Sequence, residues 1–146
     1  MNREIKFCGK RLDNGEWVYG GVVIADGYAA IVVYSDYHNW HDFVEVDPAT
    51  VGQYTGLKDK NGVESYHKDI VRTNAGNVGV IEFGSYSPTG NEWDNAWGWF
   101  IQFPNGDQAS MDEHFGYWGD EHFGYWGEVV GNVYKNPELL GEFKEV

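Results

Sequence analysis

Short runs of alternating apolar and polar residues, separated by turn-forming residues, make up most of the sequence. The Asn14-Gly15 pair lies between the first two runs and readily supplies the positive φ angles of a tight hairpin turn. The run from Tyr28 to Tyr34 is apolar on both faces, which predicts a central strand or a strand covered by another chain. The pattern predicts strands over residues 4–8, 16–24, 28–34, 70–73, 77–83, 97–103 and 128–134.

Helix signals are confined to two short segments. Asp47-Pro48 offers an N-cap and a first-position proline, but Gly52 follows closely, so only a turn or short helix is expected before Tyr54. The segment 136–141 has the same start signal and a terminal glycine, and it is expected to close one end of a barrel. The pattern therefore predicts an all-β protein containing a small barrel or sandwich. Its parts would be an N-terminal β subdomain, 1–56, and a barrel subdomain, 57–146, which can also form one compact domain.

Charge narrows the classes of ligand. The formal net charge is −13, and between Arg72 and Lys135 there are nine acids and no lysine or arginine. Such a negative field repels phosphate backbones and anionic membrane surfaces, so neither nucleic acid nor membrane is an expected partner. A basic partner, a cation or a neutral ligand fits better, and solubility alone is the simpler explanation.

Composition points to a strand-rich protein of the cytoplasm. Aromatic residues make up 17% of the chain and glycine is abundant, which favours strands and tight turns over helices. Cys8 is the single cysteine, so an intramolecular disulfide is ruled out. The sequence offers neither a signal peptide nor an apolar stretch of membrane-spanning length, and a cytoplasmic location is expected.

An eight-residue tandem duplication is the most unusual feature: residues 112–119 recur without change as residues 120–127. A turn at Gly119-Asp120 would fold the two copies onto each other as a projecting hairpin. A slipped duplication in a tolerant loop explains its origin equally well. Aromatic residues next to acids make the segment the candidate contact surface, carried by Phe115, Tyr117, Trp118, Phe123, Tyr125 and Trp126.

Five segments together resemble the YopX family of phage and prophage proteins: residues 3–7 with 9–11, 14–20, 46–62, 69–71 and 130–140. The string Val51-Gly-Gln-Tyr-Thr-Gly-Leu-Lys-Asp59 is the most specific of the matching stretches. The resemblance implies a phage or prophage origin, an all-β fold with an SH3-like barrel in the C-terminal part, and an uncharacterised activity. It supplies no catalytic residues to transfer.

The chain departs from the family pattern at two positions. Lys68 stands where glycine is usual, and a lysine there costs energy if the turn requires positive φ, so the turn is expected to differ. Cys8 stands where arginine is usual.

Candidate chemistry is sparse. No phosphate-binding loop, nucleophile elbow or paired-cysteine motif is present, and we predict no catalysis and no cofactor. His38, His41 and Asp42 form the one compact cluster resembling metal ligands, in an apparent loop where a solvated surface is the expected interpretation. Glu82 with Glu92 or Asp94 would be one carboxylate pair chosen from many. Trp93, Trp97 and Trp99 are interpreted as core and sheet-face residues in preference to a stacking platform for sugars.

The leading functional prediction is a non-enzymatic interaction module that binds a protein of the bacterial host or of the phage. One alternative is an acidic DNA mimic that inhibits a nucleic-acid-binding defence protein. Another is a carbohydrate-binding module or hydrolase. The sequence leaves homo-oligomerisation open.

Overall fold

A computed structural model of the chain describes residues 4–35, 40–91, 93–111 and 127–141. These residues form strands in two sheets, and the strand pairs are antiparallel, so the predicted all-β class is confirmed. The chain divides into two compact units, Met1–Gly56 and Leu57–Val146. Within the described ranges no helix is long and apolar enough to cross a membrane.

Unit 1 is built around an antiparallel sheet with the strand order β4-β3-β2-β1-β5. The predicted first hairpin is confirmed, since Gly15 has φ of 76° and β1 pairs with β2 in antiparallel register. The prediction of a central third strand is also confirmed, because β3 is hydrogen-bonded to β2 and β4. The strands are β1 (Phe7–Lys10), β2 (Trp17–Ala25), β3 (Tyr28–Ser35), β4 (Trp40–Val46) and β5 (Gly52–Lys58).

A close backbone approach at Gly20 lets β2 pair first with β1 and then with β3. Residues 17–20 of β2 pair with β1, and residues 21–25 pair with β3. A Cβ atom on Gly20 would lie 2.1 Å from the carbonyl oxygen of Val32. Only glycine fits where the strand changes partner, because any side chain would collide with the neighbouring backbone.

The core of unit 1 is aliphatic, and the Thr50 hydroxyl joins a short turn to β1 beside it. Ala29, Ile31 and Val46 are fully buried. A 3₁₀ turn at Pro48–Thr50 begins at Asp47, whose carboxylate accepts the Ala49 N–H at 3.0 Å. This turn confirms the predicted short helix. The Thr50 hydroxyl accepts the Lys10 N–H at 2.9 Å and donates to the Asp47 carbonyl at 2.6 Å, which ties the turn to β1.

Unit 2 contains an antiparallel sheet with the order β10-β9-β8-β7-β11. Its core includes a cluster of four fully buried residues from different parts of the unit: Val71, Ile81, Ile101 and Met111. The predicted C-terminal helical turn is present as α1 (Glu138–Gly141). The strands of unit 2 are β6 (Glu64–Tyr66), β7 (Asp69–Thr73), β8 (Val78–Tyr86), β9 (Ala96–Gln102), β10 (Gln108–Ser110) and β11 (Gly127–Asn132), and the end of β5, Leu57–Lys58, also belongs to it.

Four strands escaped the sequence prediction. Gly52 begins β5 and does not interrupt it, because the backbone there pairs with Cys8 of β1. Strand β4 includes His41 and Asp42, for which the sequence predicts a loop, yet it pairs with β3 along its whole length. The other two, β6 and β10, have three residues each, too few to show a period of their own.

Candidate functional site

The sheet of unit 1 has an apolar outer face. Along β2, Val18 and Val22 turn inward, while Tyr19 and Val23 turn outward and are exposed. This alternation follows from the two-residue period of a strand. An apolar inner face is ordinary for a sheet that covers a core, whereas an apolar outer face is not. The outer face is defined by Tyr19, Val23, Tyr28, Val32 and Phe43.

Strand register makes this outer face continuous. Val32 of β3 lies opposite Phe43 of β4, and one rung along, Ala30 lies between Val23 and Glu45. Phe43 is 62% exposed, so its ring is not used in the core of unit 1. Glu45 is the charged residue of these two rungs, so most of the side chains in them are uncharged.

Unit 2 presents a second surface, a row of aromatic rings that we call the aromatic ladder: Trp97, Phe83, Trp99 and His67. Phe83 lies directly opposite Trp99 across the β8–β9 pair. Its ring centroid is 4.8 Å from that of Trp99 and 6.1 Å from that of Trp97, with edge-to-face geometry in both contacts. His67 continues the row against Trp99 at 5.6 Å. Trp97 is 71% and Phe83 51% exposed, so this end of the ladder lies in solvent.

A facing pair of glycines shapes the strands that carry the ladder. Gly84 and Gly98 lie opposite each other, with φ of 148° and 154°. Because neither has a side chain, Tyr86 and Phe100 on either side of the pair stack, with centroids 4.9 Å apart. These two rings are buried, whereas Trp97 and Phe83 are not. Adjacent positions of one hairpin therefore divide the aromatic residues between core and surface.

The ladder ends at a polar cluster of His67, Lys68 and Glu82, which we call the Glu82 trio. The His67 Nε2 atom lies 3.1 Å from Glu82 Oε1, and Lys68 Nζ donates to Glu82 Oε2 at 2.6 Å. The three side chains retain between 28% and 35% of their surface in solvent. The trio thus combines hydrogen-bond donors and acceptors at an accessible position.

The turn that carries His67 and Lys68 is strained. Lys68 has φ of 74°, and among the described non-glycine residues it alone has positive φ. The turn therefore keeps the conformation that favours glycine, and its expected departure is not observed. The Lys68 N–H donates to the Ile81 carbonyl at 2.9 Å, and the Lys68 carbonyl accepts the Val133 N–H at 3.0 Å. These two hydrogen bonds hold the backbone of Lys68 in the left-handed conformation. That conformation costs a non-glycine residue about 1 kcal/mol.

Asp69 ends the same turn, and the pKa of its carboxyl group is raised. Its carboxylate accepts the Tyr66 N–H at 2.8 Å. Burial raises the pKa of Asp69 to about 7, and the bond from Tyr66 acts in the opposite direction. This carboxyl therefore changes protonation near neutral pH beside the Glu82 trio.

A buried carboxylate, Asp59, fastens the turn between β5 and β6 to β11, which follows the duplicated segment. Its Oδ1 atom accepts the N–H groups of Asn61 and Val63, both at 2.9 Å, and its Oδ2 atom accepts the Val129 N–H at 2.8 Å. The Lys60 N–H adds a bond to the Gly127 carbonyl at 3.0 Å. The string ending in Leu57-Lys58-Asp59 that stood out in the sequence therefore has a structural role.

Of the residues predicted as sites, those of the duplicated segment and His38 lie outside the described residues. His41 and Asp42 are described, and both lie on β4, not in the loop expected for them. Neighbours on a strand point to opposite faces, so these two cannot share a metal ion in that geometry. Across the described ranges, no group of three or more histidine, cysteine, aspartate or glutamate side chains could hold a metal.

The aromatic ladder was not predicted. The sequence does show its signal, since tryptophans two positions apart must share a strand face. It does not show which part of that face is covered, and Ile101 is buried on the face where Trp97 is exposed. The pairing of Glu82 with Lys68 was equally hidden, because fourteen residues separate the two in sequence.

Comparison with known proteins supports the family resemblance. The model of the family described as YopX protein matches residues 24–141, which is most of the chain. No curated protein matches the sequence. On the strength of the family match, the chain belongs to the YopX family.

Proposed function

We propose that this chain is a phage- or prophage-encoded interaction module that acts in the cytoplasm of the bacterial host by binding a protein partner, without catalysing a reaction. The observation that carries the proposal is the outer face of unit 1. Contiguous exposed apolar surface of this kind commonly marks a contact site on a soluble protein. Its partner is a protein with a complementary apolar surface.

Two features favour a protein over other partners at the outer face. The surface is broad, since it is formed by alternate residues of three neighbouring strands. It also has few hydrogen-bonding groups, which suits large apolar contacts and gives little to a small polar ligand. Phe43 is the expected anchor, because exposed aromatic side chains often contribute most to binding.

For unit 2 we propose an SH3-like barrel from which the duplicated segment projects as a second contact element. Strands β10 and β11 are the two edges of the sheet, roughly 19 Å apart if it were flat. A hairpin needs its two ends close together. Met111 and Val129, which flank the segment, nevertheless pack in one core cluster, and this favours a sheet that curves back on itself.

The proposal is tested by capture of partners from lysogenic cells with the wild-type chain and two variants. Phe43→Glu places a charge on the outer face. Leu12→Glu is the matched control, since Leu12 is similarly exposed, at 57%, but is not part of the outer face. We expect the same protein to be captured by the wild type and Leu12→Glu and to be lost with Phe43→Glu, with little dependence on salt.

Three results would count against this function. Equal capture by both variants would remove the outer face from the contact. Sedimentation showing a dimer of the purified chain that Phe43→Glu dissociates would make a second copy the occupant. Capture of a nucleic-acid-binding protein that weakens steeply with salt would favour the DNA-mimic alternative.

A further inference from the structure

We infer that the aromatic ladder and the Glu82 trio of unit 2 form a binding site for a neutral oligosaccharide. This site is separate in chemistry from the protein contact proposed for unit 1 and does not depend on it. Nothing in the resemblance or in the family match assigns a ligand to these residues.

The rings provide the first part of the argument. Sugar rings have apolar C–H faces that pack on exposed aromatic rings, and ligand sites combine such rings with a few polar groups that fix orientation. Trp97 and Phe83 are exposed members of a row that extends through Trp99 to His67. Successive rings in this row are 4.8 to 6.1 Å apart, so the row is several rings long and suits an extended ligand.

The polar trio provides the second part. A sugar hydroxyl both donates and accepts hydrogen bonds, and it is best matched by a site that does the same. Lys68 uses one of its N–H donors on Glu82, and a carboxylate has about four lone-pair positions, so both groups keep unused capacity. Their partial exposure makes that capacity accessible to a ligand.

The charges at the site and on the whole chain favour a neutral ligand. The carboxylate of Glu82 is already balanced by the Lys68 ammonium, so a cationic peptide gains little from it. An anionic ligand faces a chain of net charge −13 with no lysine or arginine from residue 73 to residue 134. A neutral polyol has neither disadvantage.

The arrangement favours binding over hydrolysis. Glycosidases use two carboxyl groups on either side of the scissile bond. The contacts of Glu82 are with His67 and Lys68, which leave it as an oriented hydrogen-bonding group. We therefore expect an oligosaccharide to be held and released unchanged.

The test is an array of neutral and anionic oligosaccharides probed with the purified full chain, followed by calorimetry with the strongest neutral ligand. Two variants form a matched pair. Trp97→Ala removes an exposed ladder ring, and Trp93→Ala removes a ring that is 78% exposed but has no ring contact with the ladder in the described structure. Circular dichroism of both variants checks that the fold is retained.

We expect binding of a neutral oligosaccharide that is weakened at least about tenfold by Trp97→Ala, equivalent to the loss of one good stacking contact. Trp93→Ala should change it by less than about twofold, and Glu82→Gln should also weaken it. Failure of every neutral oligosaccharide to bind would overturn the inference. Equal effects of the two tryptophan variants would also overturn it. So would a result in which no sugar binds but a basic peptide does, with its binding dependent on Trp97.

Discussion

The outer face of unit 1 and the aromatic ladder of unit 2 both expose large apolar side chains, but they differ in what lies beside those side chains. Phe43 lies opposite the aliphatic Val32, and the same face of β4 carries His41 and Glu45 two positions away. The ladder ends at His67, which contacts Glu82, and Glu82 also accepts a hydrogen bond from Lys68. Exposed rings alone therefore do not identify a ligand. The polar groups within reach of the rings do.

The two units also differ in the buried polar side chain that joins a turn to a strand. In unit 1 the buried bridge between turn and strand is the hydroxyl of Thr50. In unit 2 it is the carboxylate of Asp59, with three backbone N–H donors. A buried carboxylate is costly unless it is fully hydrogen-bonded, so unit 2 depends more heavily on one side chain. The predictions below examine that difference, from the largest effect to the smallest.

Replacing Asp59 should have the largest effect. Asp59→Ala leaves three buried N–H donors without their acceptor, at about 1–3 kcal/mol for each donor, and we expect the free energy of unfolding to fall by about 5 kcal/mol or more. Hydrogen exchange should show the loss of protection at Val63 and Val129 first. Asp107→Ala, at an exposed aspartate, is the control and should change stability by less than about 0.5 kcal/mol. Similar losses in both variants would refute the special role of Asp59.

The next effect depends on pH and concerns Asp69. Because its pKa is raised to about 7 in the folded chain, the stability that its protonated form contributes is complete below pH 4 and is lost as pH rises through 7. Asp69→Asn keeps an acceptor for the Tyr66 N–H but cannot ionise. Its stability relative to wild type should therefore rise between pH 4 and pH 8, by up to about 4 kcal/mol. A constant difference across that range, measured by urea unfolding, would contradict the raised pKa.

A smaller effect should reveal the strain at Lys68. Lys68→Gly and Lys68→Ala both remove the bond to Glu82, but only glycine adopts positive φ without strain. We expect the glycine variant to be more stable than the alanine variant by about 1 kcal/mol. Equal midpoints of thermal unfolding would mean that the turn relaxes. Both variants should bind the oligosaccharide more weakly, because both lack the ammonium of the Glu82 trio.

The smallest effect is expected from removing one copy of the duplication. Deleting residues 120–127 joins Trp118-Gly119 to Glu128, which reproduces the sequence Trp126-Gly127-Glu128 at the start of β11. Gly119 can then accept the Lys60 N–H in place of Gly127. The melting temperature should stay within a few degrees of wild type. Collapse of the fold would show that the segment is part of the core, and loss of partner capture, also after Trp118→Ala, would make it a contact element.

Sequence reasoning recovered the features that are set by local chemistry. The Asn14-Gly15 turn, the Asp47 cap and the two-faced apolar strand β3 each follow from residues that are close together in the chain. The expected change of the turn at Lys68 was wrong, since the backbone there has the positive φ that favours glycine. The surfaces could not be recovered in the same way. They depend on which strand lies opposite which, and the pairing of Phe83 with Trp99 is a tertiary fact.

The most direct test of this account measures both binding activities in both surface variants. Trp97→Ala and Phe43→Glu are each compared with wild type for oligosaccharide binding by calorimetry and for partner capture. The account predicts that Trp97→Ala loses the oligosaccharide and keeps the protein partner, while Phe43→Glu loses the partner and keeps the oligosaccharide. Loss of both activities in either folded variant would contradict the claim that the two surfaces bind different classes of ligand.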